Sequence, residues 1–81
     1  MTYIATFYSH FGAMKFKKKC DKCGWPATLM PVPRTLSSSC GTCVRYEGDT
    51  FCPTEEMPDE AEQIVRVLDD GYEVCWMAED S

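Results

Sequence analysis

The segment that most constrains the fold is a run of residues that follows neither helical nor strand periodicity. It reads Pro31-Val32-Pro33-Arg34-Thr35-Leu36-Ser37-Ser38-Ser39-Cys40-Gly41, and we call residues 31–41 the arm. Its prolines have a fixed φ and no amide donor, so the arm cannot form a central strand. The serines and the glycine beside Cys40 place amide and hydroxyl groups around one sulfur atom. We therefore expect an irregular connection that presents Cys40 and stabilises its thiolate.

The length and composition of the chain indicate one ordinary globular unit. A chain of 81 residues buries a single modest core, so we expect residues 1–81 to form one domain. No apolar run reaches the roughly 18 residues that span a bilayer, and the N-terminus lacks the basic and apolar regions of a signal peptide. These features predict a cytoplasmic protein that does not use a membrane as a partner.

The first half of the chain predicts a strand, a helix and two further strands. Residues 3–8 are rich in aromatic and β-branched side chains, as in a buried strand. Ser9 is a good N-cap for a helix over residues 10–23, which Gly24 would end. Shorter strands are expected at residues 27–30 and 43–47, one on each side of the arm.

The second half predicts a loop, a second helix and a last strand. Residues 50–57 are expected to form a loop, and Pro58 with Asp59 to begin a helix that ends at residues 69–71. The last strand would cover residues 72–77. The order β-α-β-β-α-β is that of an α+β, ferredoxin-like fold, in which an antiparallel sheet carries two helices on one face. The apolar stripe of the second helix would consist of Ala61, Ile64, Val65 and Leu68.

Six cysteines in a chain without an export signal indicate thiols, metal ligands or redox chemistry rather than a disulfide framework. The pair Cys20 and Cys23, followed by Cys40 and Cys43, has the spacing of a four-cysteine zinc site. A zinc-stabilised interaction module is therefore one hypothesis. In the predicted topology, however, the two pairs lie at opposite ends of the second strand, so we assign no metal ligand.

Cys40 and Cys43 also have the spacing of a dithiol redox pair, in which the first thiolate attacks and the second resolves the mixed disulfide. Thioredoxin-type pairs lie at a helix N-terminus, whereas residues 44–46 look extended. A small side chain at the start of a strand is an equally good interpretation of Cys43. The dithiol redox protein stays open as an alternative.

Cys40 itself is best interpreted as a nucleophile or carrier thiol. Ser39 and Gly41 provide donors beside it, and Arg34 provides a positive charge nearby in sequence. His10, next to the predicted N-cap, is interpreted as an ordinary first-turn residue of the helix. The candidate site residues are Cys40, Arg34, Ser39, Gly41 and Cys43.

The charges are divided along the chain, whose net charge is −5. Residues 1–46 hold seven Lys and Arg against one acid, and residues 47–81 hold one against twelve acids. The acidic balance argues against binding of a nucleic-acid backbone. The lysines of residues 15–22 are interpreted as a solvated helix face, with docking of an acidic protein as the alternative.

Several of these segments together resemble one family. Phe7-Tyr8-Ser9, the helix ended by Gly24, the arm and Val44-Arg45-Tyr46 resemble the selenium/sulfur (Se/S) carrier protein-like family, which consists of small bacterial domains of otherwise unknown function. The resemblance covers about residues 3–48. Cys40 matches the motif cysteine of the family and Arg34 its motif arginine.

The resemblance implies a carrier protein rather than a stand-alone enzyme. Cys40 would hold a persulfide or selenopersulfide, without a cofactor, between a desulfurase-type donor enzyme and an acceptor protein. Cys20, Cys23 and Cys43 depart from the family pattern, in which these positions ordinarily hold other residues. The zinc and dithiol hypotheses therefore stay open for this chain.

Overall fold

A computed structural model describes residues 1–53, 58 and 60–78. The strands of these residues form one sheet in the order β2-β3-β1-β4-β5, and each neighbouring pair is antiparallel. The protein is therefore a small α+β domain that combines one helix with a five-stranded antiparallel sheet in the part of the chain described. In chain order, the elements are β1 (Thr2–Phe7), α1 (His10–Lys22), β2 (Ala27–Pro31), β3 (Thr42–Glu47), β4 (Ala61–Leu68) and β5 (Gly71–Met77).

The helix α1 begins and ends where the sequence predicts. The amide of Gly12 donates to Ser9 Oγ at 3.1 Å, so Ser9 is the N-cap. Gly24 follows the last turn with a φ of 77°, a left-handed conformation that favours glycine. Cys23, predicted as the last helical residue, is instead the exposed C-cap residue. Within the described residues, no helix is long and apolar enough to cross a membrane.

The predicted second helix is wrong, because its residues form β4. Ile64 and Val65 are both buried but pack on opposite faces of the sheet, which adjacent residues of a strand do and those of a helix stripe do not. β4 lies between β1 and β5, and a strand covered on both faces has no polar alternation to reveal it. The ferredoxin-like order β-α-β-β-α-β is therefore replaced by β-α-β-β-β-β. Residues 54–57 of the predicted loop and Asp59 lie outside the described residues.

The two faces of the sheet are covered differently. α1 packs on one, which we call the helix face, where Phe16 and Cys20 of the helix contact strand residues such as Tyr46. The other, which we call the arm face, has a smaller core of Ile4, Cys43 and Val65.

The arm folds back over this second core. Its base is closed by a hydrogen bond from the Val32 amide to Gly41 O at 3.1 Å, and a turn follows in which the Leu36 amide donates to Pro33 O at 3.0 Å. Val32 and Leu36 pack against the arm-face core. The prolines suit this position, because β2 is an edge strand and Pro31 is its last residue. The arm is thus an anchored connection between two antiparallel strands.

Candidate functional site

Cys40 lies where three strands and the helix meet. It is half-buried and lies two residues before the start of β3. The hydroxyl Ser38 Oγ lies 3.2 Å from Phe7 O at the end of β1, and His10 Nδ1 lies 3.1 Å from Thr42 Oγ1. The cysteine loop is therefore adjacent to the first turn of α1.

Glu62 of β4 binds this loop through both carboxylate oxygens. Ser38 Oγ donates to Oε1 at 2.8 Å, the Ser39 amide donates to the same oxygen at 2.9 Å, and Ser39 Oγ donates to Oε2 at 2.9 Å. Hydrogen bonds to a charged acceptor are about twice as strong as neutral ones. We call Glu62 with these two serines the carboxylate clamp.

A β-bulge sets the position of Glu62. Thr6 pairs with Gln63 and Phe7 pairs with Ala61, so Glu62 is the extra residue opposite their junction. A bulge redirects a side chain that regular pairing would place elsewhere. In β4 this device places a carboxylate at the serines of the arm.

The clamp changes the predicted role of the serines. The Cys40 amide donates to Ser38 Oγ at 3.2 Å, and that hydroxyl in turn donates its single proton to Glu62 or to Phe7 O. The shorter bond to the charged carboxylate is the stronger of the two. These amides and hydroxyls thus hold the backbone around Cys40, and the role of Ser39 as a donor to the sulfur stays a prediction.

Cys43 is placed differently from Cys40. It is fully buried in the arm-face core, its thiol donates to Pro31 O at 3.7 Å, and burial raises the pKa of this thiol to about 11. The two sulfur atoms are not bonded to each other. Burial and the raised pKa both oppose the thiolate that a resolving cysteine needs.

The four cysteines of the zinc hypothesis are not brought together. Cys20 is buried on the helix face, where burial raises the pKa of its thiol to about 12, whereas Cys43 is buried on the arm face. The sheet itself separates them. Among residues 1–53, 58 and 60–78, no group of three or more His, Cys, Asp or Glu side chains is arranged to hold a metal ion.

The remaining predicted residues lie in the arm and beside it. Arg34 is exposed in the turn formed by residues 33–36, and the described contacts include none between its guanidinium and Cys40. The carbonyl of Gly41 closes the base of the arm, and a Cβ at this position would meet no atom within 4 Å. Both roles in the site therefore stay predictions.

Sequence reasoning missed Glu62 and set His10 aside. Glu62 is hydrogen-bonded to Ser39 and Ser38, which lie 23 and 24 residues away in the sequence. No local sequence pattern could therefore reveal these contacts. His10 was placed correctly in the first turn, but its contact with Thr42 spans 32 residues. The contacts of Glu62 and His10 with the cysteine loop could be recognised only once β4 and β3 were paired with β1.

Fold and loop together define a small α+β domain that presents a half-buried cysteine on an anchored connection. The chain belongs to the family described as "Putative Se/S carrier protein-like", whose family model matches residues 2–70. The predicted family is thus confirmed, and the match includes the arm and Glu62 but ends before β5. Searches of curated proteins and of solved structures give no match.

Proposed function

We propose that the protein carries a sulfane sulfur or a selenium atom on Cys40 Sγ, from a desulfurase-type donor enzyme to an acceptor protein. The observation that most supports this is the anchored loop, in which the carboxylate clamp holds the backbone of a half-buried thiol next to the exposed start of α1. The description of the family supports the same kind of function.

The transfer is a thiol exchange that needs no added oxidant. The Cys40 thiolate attacks the outer sulfur of a persulfide on the donor enzyme. One sulfur–sulfur bond forms on Cys40 while another breaks in the donor, and the donor cysteine leaves as a thiolate. The same exchange with an acceptor thiolate removes the atom from Cys40, and a selenium atom would follow the same route.

Cys40 is a better carrier than the other cysteines considered above. Cys20 and Cys43 are buried, and burial raises the pKa of both thiols, to about 12 and about 11. Cys23 is exposed, but it lies at the C-cap of α1, and β2 separates it from the arm. It therefore provides a natural control thiol in the same chain.

Arg34 and Gly41 serve the bound partner in this proposal. The exposed guanidinium of Arg34 is available to the anionic persulfide groups of an approaching enzyme. Gly41 offers open space next to Cys40, since a Cβ there would meet nothing within 4 Å. A side chain at this position would occupy the path of the partner without disturbing the packing of the carrier.

Loading of the protein by two donors tests the proposal. Wild type, Cys40→Ser and Cys23→Ser are incubated either with a purified cysteine desulfurase and L-cysteine or with inorganic polysulfide. Intact mass and peptide mapping under non-reducing conditions then locate the added atom.

We expect wild type and Cys23→Ser to gain one sulfur atom on the peptide that contains Cys40, and Cys40→Ser to gain none. The proposal is overturned if Cys40→Ser is loaded as fully as wild type, or if neither donor loads wild type. Substituting Arg34→Ala or Gly41→Val is expected to slow loading by the enzyme and to leave loading by polysulfide unchanged.

A further inference from the structure

We propose that the donor enzyme docks on the exposed stripe of α1, and that its complementary surface is an apolar recess with an acidic rim. This inference rests on the proposed function, because it names the surface through which the partner of Cys40 is recognised. The docking stripe consists of Tyr8, Phe11, Met14, Lys15 and Lys18.

The positions of these residues form one continuous surface. Residues 11, 14, 15 and 18 are spaced by three and four, so they follow a single face of the helix. All four are exposed, while Ala13, Phe16 and Cys20 face the sheet. Tyr8, which is 49% exposed, lies just before the N-cap and lines a recess with Ser37 and Glu62 beside the cysteine loop.

The stripe begins beside the cysteine loop. The contact between His10 and Thr42 joins the first turn of α1 to the residues after Cys40, and that between Ser38 and Phe7 O joins the end of β1, just before α1, to the residues before it. From residue 10 to residue 18 the helix rises about 12 Å, at about 1.5 Å per residue. The whole docking stripe is therefore near the sulfur that the partner has to reach.

A protein that reaches Cys40 has to cover this surface. A stable complex buries about 800 Å² on each partner, which corresponds to a patch of about 16 Å radius. A patch of that size around Cys40 includes the first turns of α1. A partner that approaches the loop from the side of His10 therefore contacts them.

Large apolar side chains of the stripe are exposed to water and available to a partner. Phe11 is 66% exposed and Met14 is 41% exposed, although both are large and apolar. Aromatic residues and methionine are enriched in the buried centres of interfaces. Phe11 is the best anchor, and an apolar recess is the complement that would bury it.

The charge of the stripe selects an acidic partner. Lys15 Nζ lies 5.7 Å from the centre of the Phe11 ring, and Lys18 is exposed one turn further along. The chain as a whole has a net charge of −5, with twelve of its acids in residues 47–81. An acidic surface is thus attracted by the docking stripe and repelled by much of the remaining chain, which orients the encounter.

Paired substitutions test the stripe. Phe11→Ser and Lys18→Glu change the stripe, while Leu68→Ser and Arg45→Glu make comparable changes at exposed positions of β4 and β3, Leu68 lying six residues along β4 from Glu62. The initial rate of sulfur loading on Cys40 is measured with a purified cysteine desulfurase and L-cysteine at low and high salt. A parallel series uses inorganic polysulfide, a donor too small to need a docking surface.

We expect each stripe variant to load from the enzyme about tenfold more slowly than wild type, the loss typical of an interface residue that contributes about 1.4 kcal/mol. Loading from polysulfide should be unchanged, and the control variants should match wild type with both donors. Added salt should slow wild type more than Lys18→Glu.

The docking proposal is overturned if the stripe variants load from the enzyme as fast as wild type. It is also overturned if the control variants are equally slow, or if the enzyme does not load wild type. Failure of both donors to modify Cys40 is a separate result, which counts against the carrier function itself.

Discussion

At the scale of single residues, the environment of Cys40 is determined by a carboxylate. Glu62 accepts three hydrogen bonds from Ser38 and Ser39, and Ser38 Oγ also accepts a hydrogen bond from the amide of Cys40. The cysteine is therefore positioned through its backbone, while the residue itself stays half-buried. In the proposed transfer the thiol has to meet two different partners, and this arrangement fixes the backbone of the loop that carries it.

Two substitutions at Glu62 distinguish the contribution of its hydrogen-bond geometry to stability from that of its negative charge. Glu62→Ala removes all three acceptor contacts, and we expect it to lower the free energy of unfolding by about 2 kcal/mol. Amide exchange of residues 38–41 should become faster in the same variant. Glu62→Gln keeps one carboxamide oxygen for Ser38 and the Ser39 amide, and its amino group can donate to Ser39 Oγ, so it should lose less stability than Glu62→Ala.

Urea unfolding and amide hydrogen exchange measure the two effects. A Glu62→Ala variant whose loop exchanges at the wild-type rate would show that the clamp does not hold the cysteine loop. If Glu62→Gln behaves like Glu62→Ala, the negative charge matters more than the geometry of the hydrogen bonds.

Cys43 predicts a pH dependence of stability. Burial raises the pKa of this thiol from its ordinary value of 9.0 to about 11, so the folded state binds its proton more tightly than the unfolded state. This contribution is fully present below pH 9.0 and is lost as the pH rises through about 11. Across this window the thiol makes the free energy of unfolding fall by about 1.4 kcal/mol per pH unit.

Cys43→Ala isolates this contribution, since other buried thiols and tyrosines titrate in both proteins. The variant should start from a lower stability because it leaves a cavity, but its stability should fall less steeply between pH 9.0 and about 11. Parallel slopes in urea titrations of the two proteins would contradict a protonated, buried Cys43 in the folded state.

At the scale of elements, β4 connects the core to the site. Ile64 packs on the helix face and Val65 on the arm face, while the bulge at Glu62 directs a carboxylate towards the arm. One strand therefore contributes to both cores and to the loop of Cys40. Disturbing it should affect the site and the stability together.

Sequence patterns predicted the elements whose signals are local. Ser9 and Gly24 mark the ends of α1 because capping depends on neighbouring residues, and the prolines of the arm restrict their own backbone. Ile64 and Val65 gave no comparable signal, because a short apolar run fits a helix stripe and a fully covered strand equally well. The Glu62 clamp depended on that same strand, so it could not be predicted either.

Comparing one residue of β4 with one residue of β5 tests the assignment of β4 as a central strand. Ile64 is completely buried, so Ile64→Ala should lower the free energy of unfolding by about 2–5 kcal/mol. Val74 is 54% exposed on the edge strand, and Val74→Ala should change it by less than about 0.5 kcal/mol. Similar losses for the two variants, measured by urea unfolding, would be incompatible with a central β4.

At the scale of the whole molecule, positive and negative side chains are distributed unevenly over the fold. The five lysines of residues 15–22 lie on α1, whose first turn contacts the cysteine loop through His10, whereas twelve of the acids belong to residues 47–81. Local motifs predicted both the family and Cys40 as a candidate site residue, because such motifs can be recognised without a structure. The relation between the loop and the helix surface required the sheet order, because contacts such as that of His10 with Thr42 span distant residues.

The most direct measurement of the central claim follows one labelled atom onto Cys40 and off it again. Wild type and Cys40→Ser are incubated with a desulfurase and isotopically labelled L-cysteine, separated from the enzyme, and then mixed with an excess of a small thiol. We predict that wild type gains one labelled sulfur and releases it as sulfide, and that Cys40→Ser never acquires the label. A label that wild type retains after treatment with thiol, or that both proteins acquire equally, would contradict a carrier role for Cys40.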